Sequence, residues 1–340
     1  MSALIEPNQV GIRQDLSDYI AVADMKQTPF SSMAKKGSKP GNMRMDWQAD
    51  DELAVDTNGV LDGADATSFG NPAENRALVS VYAQKYWDKQ MIGDLAENVS
   101  NVAGLSKGEK SKAIAKSIRK VKRSIEAKCL GDDETAAQSG ATAYSMRGLG
   151  KWILATAQAV LPVDANFRTP SASIDTTAST AAATEAAINT VLESIWNQTG
   201  EVKDFDGFCG GAMRKRISDL QLYDANASAG TAYIAARNIN KDQKDNVIAK
   251  RIDIIVGDFG SIKLHSTNFA GYSSNTRTAA VGNGRFYILD MKDIMLRFAR
   301  TPGVEQLPNM GGGPRFITDA VCGLLVGNPL KHGAFKPTTA

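Results

Sequence analysis

The stretch SKGEKSKAIAKSIRKVKRSIEAKCLG, residues 106–131, decides the fold. Ile114, Ile118, Val121 and Ile125 recur at spacings of 4, 3 and 4, which puts one apolar stripe along a helix. Ser106 and Glu109 have the form of a capping box, and Gly131 follows the last apolar position as a stop. A helix over 107–130 is a rod of about 36 Å. Residues 107–128 hold nine Lys/Arg and two Glu, net +7 in a chain of formal charge +2. The rest of the chain is therefore net −5. Lys112, Lys116, Arg119, Lys120 and Arg123 form a candidate surface toward polyanion; the competing reading is a solvated face. No aromatic interleaves with these cations, which disfavours sequence-specific or single-strand readout.

Upstream, residues 41–93 read as two extended segments around a polar excursion. Met43, Met45 and Trp47 alternate with Arg44, Asp46 and Gln48, the period of a half-buried strand. The return, ALVSVYAQKYW (77–87), carries aromatic or β-branched groups on both faces, so cover is expected on both. Between them Asp50–Asn75 is acidic and without clear period; loops beyond ~12–15 residues are usually functional or disordered. Further upstream, Asp15–Met25 has a helix-like face, Pro29 is expected to stop it, and SSMAKKGSKPGN reads as an arm outside the core.

Downstream, 148–163 is a second apolar segment, and 171–184 (12 of 14 residues Ala, Ser or Thr) reads as a surface connection or domain boundary. Thr184 caps a helix with Ile188, Val191, Leu192, Ile195 and Trp196 on one face, ending near Gly200. Strands are expected at 252–256, 261–265, 285–289, 294–299 and 320–326, with Asp290–Asp293 as a hairpin turn. The class is α+β, with one long helix and a second mixed domain.

Length and composition exclude several functions. The 340 residues suit about two domains at ~150 each, and 43% hydrophobic with 22% charged content excludes wholesale disorder. No apolar run reaches the ~18 residues of a membrane span, and no signal peptide is visible. Cys129, Cys209 and Cys322 form no CxxC pair, and His265 and His332 are too few for a His-rich metal site. GLSKGEKS (104–111) lacks Walker spacing, while Gly282–Gly284 and Gly311–Gly313 precede extended chain and read as turns. Cys322 sits in an apolar strand pattern, where thiols are usually inert, so a dyad with His332 is disfavoured. No catalytic, cofactor-binding or metal residue is assigned, and no cofactor is expected.

The order of segments resembles phage major capsid proteins of the Hong Kong 97 fold, in the subgroup of the SU-ten phage capsid. The resemblance rests on Asp15–Ile20, Thr28-Pro29-Phe30, Met45–Asp50, the basic helix and Gly148–Ile153. It continues with Tyr287–Asp290, Met295–Arg297, Leu324–Pro329 and His332-Gly333. It implies an N-terminal arm (1–40), an extended two-stranded loop (41–93), a peripheral domain with its spine helix (94–183 and 319–340) and an axial domain (184–318). It also implies a shell subunit of a tailed phage, assembling with copies of itself into pentamers and hexamers of an icosahedral head around double-stranded DNA. Contact with that DNA would be non-specific and electrostatic, and no membrane is involved. The chain starts at the arm, so any scaffold would be a separate protein or already removed; portal and cement proteins are further expected partners. Trp47, Tyr82, Tyr86 and Trp87 are the candidate subunit interface, because a two-stranded ribbon cannot bury both faces against itself. An encapsulin-like compartment is the alternative within the fold, a nucleic-acid-binding protein the alternative outside it. The setting implied is the virion capsid, assembled in the host cytoplasm.

Overall fold

The computed structural model describes residues 28–53, 55–67, 69–95, 108–176, 179–180, 183–220, 252–270 and 284–337. The helix expected over Asp15–Met25 and the Ser106 cap lie outside them. In chain order the strands are β1 (Lys35–Gly37), β2 (Arg44–Ala49), β3 (Ala77–Tyr82), β4 (Gln84–Met91), β5 (Ile174–Asp175) and β6 (Lys203–Cys209). They continue with β7 (Ile254–Gly257), β8 (Gly260–Ser266), β9 (Phe286–Leu289), β10 (Ile294–Leu307), β11 (Arg315–Val326) and β12 (Gly333–Phe335). The helices are α1 (Pro29–Met33), α2 (Gly108–Cys129), α3 (Leu149–Trp152), α4 (Glu185–Thr199) and α5 (Gly211–Leu220).

Two larger sheets and one hairpin organise these elements. The first sheet runs β1-β10-β11-β4, with α2 laid across one face. Val121, Ile125 and Cys129 of the helix are buried with Tyr86, Ala320, Cys322 and Leu324. Ile118 and Ile114, one and two turns earlier, are only half-buried, so the apolar stripe is filled at one end alone. The second sheet runs β5-β12-β9-β6-β8-β7. Ile188, Val191, Leu192 and Ile195 of α4 and Met213 and Ile217 of α5 cluster with Phe205, Ile262, Leu264 and Ile288. Helix α4 is delimited as its sequence demands: the Thr184 hydroxyl accepts from the Ala187 N–H, and Gly200 takes the left-handed φ of 67°. The two-stranded β2–β3 hairpin carries the excursion between them.

Several expectations are corrected. Asp290–Asp293 closes no hairpin, because β9 and β10 belong to different sheets. The ends of that turn are taken by the returning chain instead: the Asp290 N–H donates to His332 Nδ1, and Asp293 accepts from the N–H groups of Gly327 and Asn328. Pro29 opens a helix instead of only stopping one, since at the first helical position its missing N–H costs nothing. Beyond it, Phe30 is fully buried and β1 pairs in parallel with β10, so this part of the expected arm is core. The described part of 171–184 is likewise tied in, through β5 on β12 and the buried Ser173, Thr180 and Ala183.

Sheet membership also divides the chain differently from the expected domain boundaries. β4 lies within the expected extended loop, yet it pairs with β11 over Gln84–Met91. The expected axial range 184–318 includes β10 and the start of β11, which complete the first sheet. Conversely β12, expected in the peripheral domain, pairs with β9 in the second. Local alternation identifies a strand but does not say which sheet takes it.

Candidate assembly site

The return strand is one continuous run that changes partners at Ala83. Up to Tyr82 it pairs with β2; from Gln84 it pairs with β11. The hairpin base is therefore anchored at its root. Its inward face, Met45, Ala49, Val79 and Val81, is buried in the main core. Trp47 is half-buried against the fully buried Trp152, ring centroids 5.6 Å apart, and its indole N–H donates to the Gly327 carbonyl at 3.0 Å. Trp152 in turn lies under the Arg147 guanidinium, 4.6 Å from the ring. The opposite face was expected to need a second cover, and the structure corrects this: Arg44, Asp46 and Ser80 join there in a hydrogen-bonded polar group.

Of the four candidate interface aromatics, three make their contacts within the chain. Tyr86 is buried under α2, which removes it as a surface residue. Tyr82 packs on Tyr144 at 5.6 Å, and Trp47 stacks as described. Trp87 alone points out, 56% exposed, with Lys89 Nζ 3.8 Å and Lys85 Nζ 5.5 Å from its ring. It stands on the face of the first sheet opposite α2. Strand alternation sends Tyr86 and Asp88 toward the helix and Lys85, Trp87, Lys89 and Met91 away from it.

Beyond the base, an ion pair from Arg76 to Asp50 at 2.6 Å closes the neck of the excursion. Past that neck the described residues 51–72 are all exposed, including Leu53, Val55, Val60, Leu61 and Phe69. Asp51, Glu52, Asp56, Asp62, Asp65 and Glu74 make no ion pair among the described residues. The loop is acidic and apolar at once, and among the described residues nothing covers either quality.

The basic candidates lie along one line of α2. Lys112, Lys116, Arg119 and Arg123 recur at spacings of 4, 3 and 4, two residues behind the apolar stripe and so about 200° round the helix from it. Lys120 falls beside them and reaches down to the sheet, bonding Asp88 Oδ1 at 2.6 Å. Burial opposes the Asp88 charge, but hydrogen bonds from Lys120 and Gln90 outweigh it and hold its carboxyl below the ordinary value. Lys120 is thus partly structural.

Sequence reasoning missed Glu126. It is fully buried and takes the N–H groups of Phe30 and Ser31 on its two oxygens, at 2.8 and 2.7 Å. These are orphan donors at the start of α1, so the carboxylate clasps that helix to α2. Burial pushes the Glu126 carboxyl up, against the two N–H groups that favour its charge. The available signal was a carboxylate beside Ile125, on the core side of a basic helix. At the junction of the sheets, His332 is fully buried with its Nε2 unpartnered among the described residues, and burial lowers its pKa to about 4.

Comparison with known proteins fits this geometry. The chain matches the family model of the SU10 major capsid protein over residues 6–339. Among solved structures it is similar to the capsid of cyanophage A-1(L), with 12% identity, 96% of this chain and 98% of that one covered, and a TM-score of 0.65. It is also similar to the capsid of cyanophage P-SCSP1u (11% identity, 99% and 97% covered, TM-score 0.60) and to a structure of Mycobacterium phage Bobi (10%, 97% and 96%, 0.59). A search of curated proteins finds no match. At such identities the structures speak for the fold, which is the expected α+β capsid fold, and the family model speaks for the kinship. The chain belongs to the SU10 major capsid protein family.

Proposed function

We propose that this major capsid protein builds the icosahedral head of a tailed phage from pentamers and hexamers, and that the 50–76 loop is the clamp between neighbouring copies. The observation carrying the clamp is the contrast at the Asp50–Arg76 neck: a rooted hairpin base on one side, and on the other a loop whose apolar residues are exposed. A loop of that composition gains most from cover by a second copy, in a heterologous contact that closes rings. Within this scheme the first sheet with α2 acts as the peripheral domain and the second sheet as the axial domain. The head assembles in the host cytoplasm, with scaffolding, portal and cement proteins as partners. The fold is not read as an encapsulin compartment, because the family matched is that of a phage capsid.

Replacing Asp51–Asn71 by a short Gly-Ser bridge tests the clamp. The subunit should keep its folded sheets, while electron microscopy should find no closed particles. Closed shells of normal size from the deletion variant would remove the clamp.

We further propose that Lys112, Lys116, Arg119 and Arg123 face packaged double-stranded DNA. Their replacement by Gln, with Lys120 retained for its bond to Asp88, should leave shells intact and weaken genome retention. The difference should shrink as salt rises, because phosphate contacts release counterions. Unchanged retention at every salt concentration would make the helix face merely solvated.

A further inference from the structure

Asn58 is the one asparagine among the described residues with a glycine after it. Both Asn58 and Gly59 are exposed and lie outside every helix and strand. The Asn58 N–H donates to Asp56 Oδ1 at 2.9 Å. Among the described residues, however, neither the Asn58 side-chain amide nor the Gly59 N–H has a hydrogen-bond partner. A Cβ at Gly59 would meet nothing within 4 Å, so the site is open on that side too. An amide carbon therefore stands next to an unengaged backbone nitrogen, on a residue whose backbone turns freely.

Other asparagines with the same reactive amide lack one of these conditions. Asn71 precedes Pro72, whose nitrogen carries no hydrogen, and its Oδ1 already accepts from the Ala73 N–H at 3.1 Å. Asn75 precedes Arg76, whose N–H is held by the Ala73 carbonyl. Asn42 keeps the Met43 N–H on its own Oδ1 at 2.6 Å. Asn309 is fixed by the Gly311 and Gly313 N–H groups, at 3.0 and 3.2 Å.

We propose that Asn58 is a self-modification site of the free subunit, deamidating through a cyclic imide with Gly59 and taking water as its co-reactant. The Gly59 nitrogen gives up its proton to base and bonds to Asn58 Cγ. The bond from Cγ to the amide nitrogen breaks, and that nitrogen leaves with the proton as ammonia. Water then opens the imide at either carbonyl. One opening gives aspartate; the other routes the chain through Cγ and gives isoaspartate. Nothing is oxidised or reduced. Either product adds a negative charge beside Asp56 and Asp62, and isoaspartate also lengthens the backbone by one carbon. The subunit then carries an altered loop at the segment assigned above to the clamp.

Peptide mapping of the full chain, kept unassembled at neutral and at mildly alkaline pH, tests the site. The tryptic peptide Met45–Arg76 should gain the mass of an amide-to-acid exchange, placed at Asn58 by fragmentation. In water labelled with heavy oxygen it should take up one label. The gain should be faster at the higher pH, where base removes the Gly59 proton more readily. Asp62-Gly63 in the same peptide isomerises without a change in mass, so the gain reports the amide. Gly59→Val should slow it about tenfold or more, because a β-branched side chain restricts the turn that ring closure needs. Its melting temperature should match the parent, since the position is exposed. An unmodified Asn58 under conditions that deamidate the isolated 45–76 peptide would overturn the site, as would an equal rate in Gly59→Val. Slower conversion in closed shells is expected only on the clamp reading; equal rates in shells and free subunits would count against the clamp and leave the site standing.

Discussion

Trp47 and Trp87 stand on the same side of the first sheet, at the two ends of one layer, and differ in nearly everything else. Trp47 has a ring partner, a hydrogen bond and the hairpin's buried face around it. Trp87 has two lysines and water. The difference shows where the subunit's own core ends. Residues on the Trp47 side contribute to the folding of one chain; the exposed ring of Trp87 and the loop between Asp50 and Arg76 are left to serve association.

The sharpest way to break this contrast is from beneath Trp47. Trp152→Ala removes a fully buried ring that Trp47 and Arg147 both rest on, and should cost about 3–5 kcal/mol in denaturant unfolding. A loss no larger than that of a surface change would mean the hairpin root is not core.

The next effect is a pH dependence at the junction below the root. His332 faces Asp290, Asp293, Lys331 and Lys203, yet burial dominates and lowers its pKa to about 4. Unfolded, it titrates near 6.5, so between pH 6.5 and 4 the unfolded chain binds the extra proton. Stability is fully present above 6.5 and should fall by up to about 3 kcal/mol as pH drops to 4. The dependence of the melting temperature on pH across that window should flatten in His332→Gln. An unchanged slope in His332→Gln would assign the pH response elsewhere.

Smaller still, Trp47→Ala should cost about 2 kcal/mol, through lost packing and the unpaired Gly327 carbonyl, with half-burial limiting the loss. At the far end of the scale, Leu61→Ser with Phe69→Ser should leave unfolding within about 0.5 kcal/mol of the parent while depleting closed particles. If that pair destabilises the isolated subunit instead, the loop packs on its own chain and the contrast disappears.

Local structure was legible in the sequence where pattern and caps agree. The 4-3-4 isoleucine and valine spacing found α2, and Thr184 with Gly200 delimited α4. Partners across long separations were not legible. Nothing in ALVSVYAQKYW says that it changes neighbours at Ala83, because that choice depends on β11, more than two hundred residues away. The same applies to Tyr86 and Trp87. Both are aromatic and adjacent, and only the direction of α2 decides which is inside. Pro29 misled for a local reason, since the same ring that ends a helix also begins one. The charge of α2 and of the loop, by contrast, was readable at once, and those two features carry the functional argument.

The chain passes from the second sheet to the first at Asp290–Asp293 and returns at Gly327–His332, and Asp293 ties the two passages together through Gly327 and Asn328. If the proposed head is filled with DNA, pressure on its wall loads the passages between the two sheets of each subunit. Two of these crossings are braced against each other at Asp293, as two stitches hold a seam that one would let twist. Phe208, Tyr287, Leu289 and Ala334 of the second sheet share the buried cluster of the first, so the seam is packed as well as stitched. A change in wall curvature then works against that packing and against the two braced crossings together.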